Sequence, residues 1–177
     1  LSLMASTSCS NTALIIGDVQ NGICQMALKT EEAIKGYIDL INTATAAARE
    51  RNMIVVFIRV AFRAGHPEVS NKNKAFSMVK THNMMLDGTE GTALHPSLDA
   101  KATDVVLTKC RFGPFSTTQL RTILVAHGVE NLAVAGIATS GVVLNTVVEG
   151  ADMDYAVTVL SDGCIDSDPV AHDALLQ

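Results

Sequence analysis

Short apolar runs that end in polar residues constrain this chain more than any other feature. Thr12 to Gln20 (TALIIGDVQ), Met53 to Val60 (MIVVFIRV), Val105 to Lys109 (VVLTK) and Asn131 to Ala138 (NLAVAGIA) are short, apolar and mostly rich in β-branched residues, and Ala156 to Leu160 makes a fifth. A strand with one wetted face alternates apolar with polar, so runs this continuous suit strands buried on both faces. Between them the apolar spacing becomes helical. Thr30, followed by Glu31 and Glu32, opens a segment to about Asn52 with Ile34, Tyr37, Ile38, Ile41, Thr45 and Ala48 on one face. Further helices are predicted at Thr117 to His127, ending before Gly128, and at Ser140 to Met153, with a short one in DPVAHDALL. Alternating strands and helices imply a three-layer α/β/α fold, a doubly wound and mostly parallel sheet of Rossmann-like type.

One link breaks the alternation. Ala61 to Asp104 carries Gly65, Pro67, Gly88, Gly91 and Pro96, and holds a predicted short helix at Lys74 to Val79. A link this long inside a compact domain is usually a binding loop or lid. A chain of 177 residues suits one core, here taken as 12–177 behind a flexible leader at 1–11 that lacks the basic start of a secretory signal.

Several function classes fall away on composition. Apolar residues make up 48% of the chain, yet no run approaches the roughly 20 residues of a membrane span. A net charge of -5, with scattered basic residues, gives no footprint for nucleic acid or anionic lipid. Cys9, Cys24, Cys110 and Cys164 are widely spaced and read as free thiols in a reducing, cytoplasmic setting. His66, His82 and His95 show no metal-ligand spacing, so no metal or other cofactor is expected.

In an open α/β sheet the ligand crevice lies beyond the carboxyl ends of the strands. Asp18 closes the first strand, Lys109 closes the third, and Gly136 to Thr139 leads from the fourth into a helix start. A carboxylate converging with an ammonium suits proton transfer and equally suits a structural ion pair. The turn GIATSGVV offers backbone N–H groups of Ala138, Thr139, Ser140 and Gly141 to an oxyanion or carboxylate; alternatively it is a tight turn capped by Thr139 or Ser140.

The order ALIIGDVQNG, VVLTK, AVAGIATSGVVLNT and AVTVLSDGC resembles the isochorismatase-like hydrolases, the cysteine hydrolase superfamily, over about Thr12 to Leu176. The resemblance implies a catalytic Asp, Lys and Cys. The first two map onto Asp18 and Lys109, while Val142 stands where the nucleophile belongs. Valine cannot attack a carbonyl, which removes the thioester route to amide hydrolysis. Cys110 directly follows Lys109, so strand alternation sends it to the opposite face; Cys24 and Cys164 fall nearer the cleft but read as packing residues.

Members of the family that hydrolyse isochorismate lack the cysteine. The implied reaction is therefore cleavage of the enolpyruvyl ether of isochorismate or a related small carboxylate, with Asp18 as general acid and no covalent intermediate. Two rivals are a small-amide C–N hydrolase using another thiol and a binding protein that has lost its chemistry. The resemblance further implies that Gln20 and Asn21 orient the site or cap its loop, that Phe115 covers the substrate or sits in the core, and that Arg111 pairs with a carboxylate or stays exposed. It also implies a cis peptide at Ile137-Ala138 and a homo-oligomer. Because the family normally adds a further helical turn and an edge strand after the DPVAHDALL helix, either this chain is trimmed or the sheet edge is open.

Overall fold

The computed structural model of the protein describes residues 9–177, so residues 1–8 of the expected leader lie outside the described residues. Its elements run β1 (Thr12–Gly17), α1 (Asn21–Leu28), α2 (Glu31–Glu50), β2 (Ile54–Val60), α3 (Lys74–Thr81), a 3-10 turn (Glu90–Thr92), β3 (Val105–Lys109), α4 (Leu120–Ala126), β4 (Asn131–Ile137), a wide π turn (Thr139–Val143), α5 (Leu144–Ala151), β5 (Ala156–Ile165) and α6 (Pro169–Leu176). The strands form one five-stranded sheet in the order β3-β2-β1-β4-β5, parallel at every pairing. This is the doubly wound α/β architecture predicted from the apolar runs.

Strand alternation divides the core into two layers. Ala13 and Ile15, with Val56 and Ile58, face Leu120 and Leu124 of α4. Leu14 and Ile16, with Val55 and Phe57, face Ile34, Ile38 and Ile41 of α2. α2 begins where the sequence places it: Thr30 Oγ1 accepts from Ala33 N at 3.2 Å, and Glu31 and Glu32 sit at the positive end of the helix dipole.

Four elements depart from expectation. α1 was not foreseen, because it is only eight residues long, opens on the turn-like pair Asn21-Gly22 and has no side-chain cap. α4 starts at Leu120 and not Thr117, since Thr118 Oγ1 takes Leu120 N at 3.0 Å and donates to Pro114 O, which holds the preceding residues in a turn. The helix expected from Ser140 is broken, with Gly141 at φ -102° and ψ -105° inside the π turn before α5 begins. β5 continues through Ser161, Asp162 and Gly163 to Ile165, past a bulge where the register moves from Val134 opposite Val159 to Gly136 opposite Cys164.

Register brings the carboxyl ends of the central strands level. Gly17 lies opposite both Ile58 and Gly136, and Val60 lies opposite Lys109. β1 and β4 approach so closely here that a Cβ on Gly136, whose φ is +145°, would lie 2.7 Å from Gly17 N. Only glycine fits.

Candidate active site

Asp18 follows the last residue of β1 at φ 56°, with its N–H on Ile58 O at 2.8 Å, so its side chain turns up from the sheet end. Lys109, at the end of β3, reaches across β2 and donates from Nζ to Asp18 Oδ2 at 2.7 Å. Both groups are buried, at 5% and 3% exposure. The other carboxylate oxygen, Asp18 Oδ1, is buried with no hydrogen-bond partner among the described residues. Burial raises the Asp18 pKa and Lys109 lowers it; burial wins, and the pKa rises from 3.8 to about 6.

Above this pair opens a cavity of about 570 Å³. Ala138, Gly141 and Val142 form one wall, from the turn after β4, and the peptide between Ile137 and Ala138 is cis, where the resemblance placed one. Ile23, Met26 and Ala27 of α1 form a second wall. The long link supplies the roof through Ala75, Phe76 and Val79 of α3 together with Met85, so it covers the cavity as its length suggested. Phe112 and Ser167 complete the lining.

Other expected site residues have structural work instead. Gln20 is fully buried and joins three segments: its Nε2 donates to Val60 O at 2.9 Å and Thr92 O at 2.8 Å, and its Oε1 accepts from Val60 N at 2.7 Å. Asn21 opens α1 and faces Glu90 and Gln25. Phe115 does not cover a substrate; it lies in the core below the sheet, its ring stacked 6.1 Å from Tyr155. Phe112, three residues earlier in the same loop, is the aromatic that reaches the cavity. Arg111 is spent on main-chain carbonyls, donating to Cys110 O at 2.6 Å and Glu68 O at 2.9 Å, which fastens the link to the end of β3.

Two of the four N–H groups of the expected cradle, those of Ser140 and Gly141, are occupied. Ser140 N and Oγ both donate to Asp166 Oδ2, at 2.7 and 2.6 Å, and the N–H groups of Gly141 and Val143 turn back onto Ala138 O. Thr139 is buried and shares a hydrogen bond of 2.8 Å with His172 Nδ1 of α6. The turn is therefore clamped from the β5–α6 side, while its Ala138, Gly141 and Val142 face the cavity.

No cysteine lines the cavity among the described residues. Cys24 packs in the layer under α2, Cys164 in the opposite layer, and burial pushes both thiols up to about 11. Cys110 packs against the cluster of Val60, Phe62, Val69 and Phe76 under the link. Of the histidines, His66 is buried with Nε2 2.8 Å from Met84 O, and His95 Nδ1 accepts from Ser97 N. No described helix is long and apolar enough to cross a membrane.

An Isochorismatase domain matches residues 12–177, which is nearly the whole chain. The chain belongs to the isochorismatase family. It is accordingly a hydrolase of that family. Ureidoacrylate amidohydrolase RutB of Klebsiella pneumoniae is 30% identical over 176 residues, covering 89% of this chain and 75% of that protein. Among solved structures, an isochorismatase family protein from Desulfovibrio vulgaris superposes with a TM-score of 0.78 at 25% identity, over 94% of this chain and 87% of its own. N-carbamoylsarcosine amidase from Thermoplasma acidophilum shares the fold, with a TM-score of 0.73 at 23% identity over 88% of this chain and 84% of its own.

Proposed function

We propose that this isochorismatase-family hydrolase cleaves the enolpyruvyl ether bond of a small carboxylate substrate by proton transfer from Asp18, with no covalent enzyme intermediate. The observation that carries the reading is Asp18, which lines a cavity with no thiol among the described residues and whose buried Oδ1 has no hydrogen-bond partner among them. A site with a general acid and no nucleophile favours bonds that break on protonation. An enol ether is such a bond, whereas an amide needs an attacking group.

Asp18 in its acid form delivers a proton to the methylene carbon, which gives an oxocarbenium ion and leaves Asp18 as carboxylate. Water adds to the cationic carbon and returns a proton to Asp18. The hemiketal then collapses to the free alcohol and pyruvate. Lys109 holds Asp18 through Oδ2, leaving Oδ1 to carry the transferred proton, and its charge meets the carboxylate of the enolpyruvyl group. A pKa of about 6 keeps a usable fraction of the acid form near neutrality.

Val142 stands where the resemblance puts the nucleophile, and its apolar side chain closes that corner of the cavity. The amidohydrolase names of relatives such as RutB therefore do not carry over to this site without a thiol from elsewhere. The test is coupled detection of pyruvate from isochorismate and from simple enolpyruvyl ethers, using wild type, Asp18→Asn and Lys109→Ala. Loss of pyruvate release in Asp18→Asn is expected; equal rates in all three proteins overturn the proposal.

A further inference from the structure

The cavity holds one cation, Lys109, and one acid, Asp18; its remaining described lining is apolar apart from Ser167 at the rim. Neither α1, α3, the loop after β3 nor the turn after β4 contributes another titratable side chain to the lining. Its walls are instead aliphatic, aromatic and thioether surface. Phe76 and Phe112 lie with ring centroids 4.8 Å apart, and Phe62 extends the row behind Phe76 at 5.6 Å. Met26 and Phe112 line the cavity and still expose 67% and 45% of their surface, so the apolar wall continues out through the mouth.

Charge accounting then limits the ligand. One carboxylate beside Lys109 is neutralised when Asp18 carries its proton, and the site closes with no net charge. A second carboxylate has no cation to meet, and placing it on phenylalanine and methionine surface forfeits its hydration without return.

We propose that the alcohol half of the substrate is uncharged and apolar, so that the substrate is a singly charged enolpyruvyl ether of an aromatic or alicyclic alcohol, its carboxylate on Lys109 and its ring on the Phe76, Phe112 and Met26 wall. This rests on the proposed enol-ether chemistry and narrows it; isochorismate, with its two carboxylates, falls outside the class. The wall also accounts for two large apolar side chains of the lining, Met26 and Phe112, left half in solvent, which a wholly polar ligand would not use.

Saturated ethers separate binding from reaction, since they cannot be hydrolysed by this route. Calorimetry on the wild-type protein compares phenoxyacetate, its ortho-carboxylated analogue, and methoxyacetate, which keeps the carboxylate but lacks the ring. Phenoxyacetate is expected to bind at least about tenfold tighter than either, because ring burial adds apolar contact while a second charge adds an uncompensated cost. Its binding is also expected to take up a proton near neutral pH, read from the heat measured in buffers of different ionisation enthalpy. Phe112→Ala, on an exposed loop position, is expected to remove most of the ring's advantage and leave methoxyacetate unchanged.

Equal or tighter binding of the dicarboxylate, or no preference for the ring, overturns the proposal. So does failure of phenoxyacetate to bind at millimolar concentration. Turnover is read separately with 2-phenoxyacrylate, the enolpyruvyl ether of phenol. The expected binding order without hydrolysis defeats the enol-ether chemistry and upholds the ligand class, whereas hydrolysis with the opposite binding order does the reverse.

Discussion

Lys109 Nζ meets only one oxygen of Asp18, Oδ2 at 2.7 Å, and leaves Oδ1 buried without a partner among the described residues. A structural ion pair that is this dry normally satisfies both carboxylate oxygens, because an unmet buried acceptor costs about 1–3 kcal/mol. The half-satisfied pair is better matched to a proton that is carried and released.

The pH profile should reveal which form works. If the acid form of Asp18 is active, kcat/KM stays level below about 6 and falls about tenfold per pH unit above it. Lys109 lowers the Asp18 pKa, so Lys109→Met should move this alkaline limb to higher pH while weakening substrate binding. An unmoved limb in Lys109→Met would assign the titration to another group.

Stability should carry the same signature. The folded pKa of Asp18 lies above its ordinary value of 3.8, so its contribution to stability is full below 3.8 and is lost as the pH rises through about 6. Urea unfolding of wild type and Asp18→Asn, followed from pH 4 to 7.5, should therefore show the wild-type advantage shrinking by on the order of 3 kcal/mol. A constant difference across that range would mean that Asp18 titrates alike in both states.

Gln20 joins the ends of β1 and β2 to the link by bonds to Val60 O, Val60 N and Thr92 O. Gln20→Leu keeps the volume and leaves those buried main-chain groups unmet. Its unfolding free energy should fall by about 2–4 kcal/mol, and hydrogen exchange should quicken at Val60, whose N–H the side chain holds. A loss below measurement error would show that the link is held by its backbone contacts alone.

These outcomes also mark how far the sequence could be read. The strands β1, β2 and β4 were legible because burial on both faces leaves unbroken apolar runs, whereas the edge strand β3 leaves Val106 and Thr108 exposed and was legible only from its β-branched residues. Asp18 and Lys109 were legible because polar residues that end such strands meet at the carboxyl end of the sheet. The cavity walls were not. Ile23, Met26, Phe76 and Phe112 lie on short helices or loops whose facing depends on how the link folds back, and no local period records that. CRFGPF holds two aromatics three residues apart, and only the packing of Phe115 against Tyr155 decides which one turns inward. The partner of Ser140 N was hidden too, because Asp166 lies 26 residues beyond Ser140 in the chain.

Gly17 and Val142 are matched in size. A Cβ added at Gly17 would come within 2.6 Å of Val142 Cγ1 and 2.8 Å of Cγ2. Gly17→Ala alone should destabilise the protein by about 1–3 kcal/mol through overpacking. Val142→Ala removes both methyl groups, so the double variant should recover much of that loss, with a coupling above about 1 kcal/mol in a double-mutant cycle. Additive effects would mean that the turn after β4 shifts away from β1 at little cost.

The strongest challenge to the proposed chemistry is a thiol that enters the site from elsewhere. Cys24 and Cys164 are buried with thiols raised to about 11, Cys110 packs under the link, and none of the three lines the cavity. Iodoacetamide should therefore leave wild-type turnover unchanged, even where mass spectrometry finds an alkylated cysteine. Val142→Cys places a thiol in the cavity wall, and its alkylation should be slowed by bound phenoxyacetate and should block the pocket. The contrast controls for access of the reagent. If the wild-type enzyme loses turnover on alkylation and phenoxyacetate protects it, a cysteine takes part in the reaction and proton transfer from Asp18 alone is no longer an adequate mechanism.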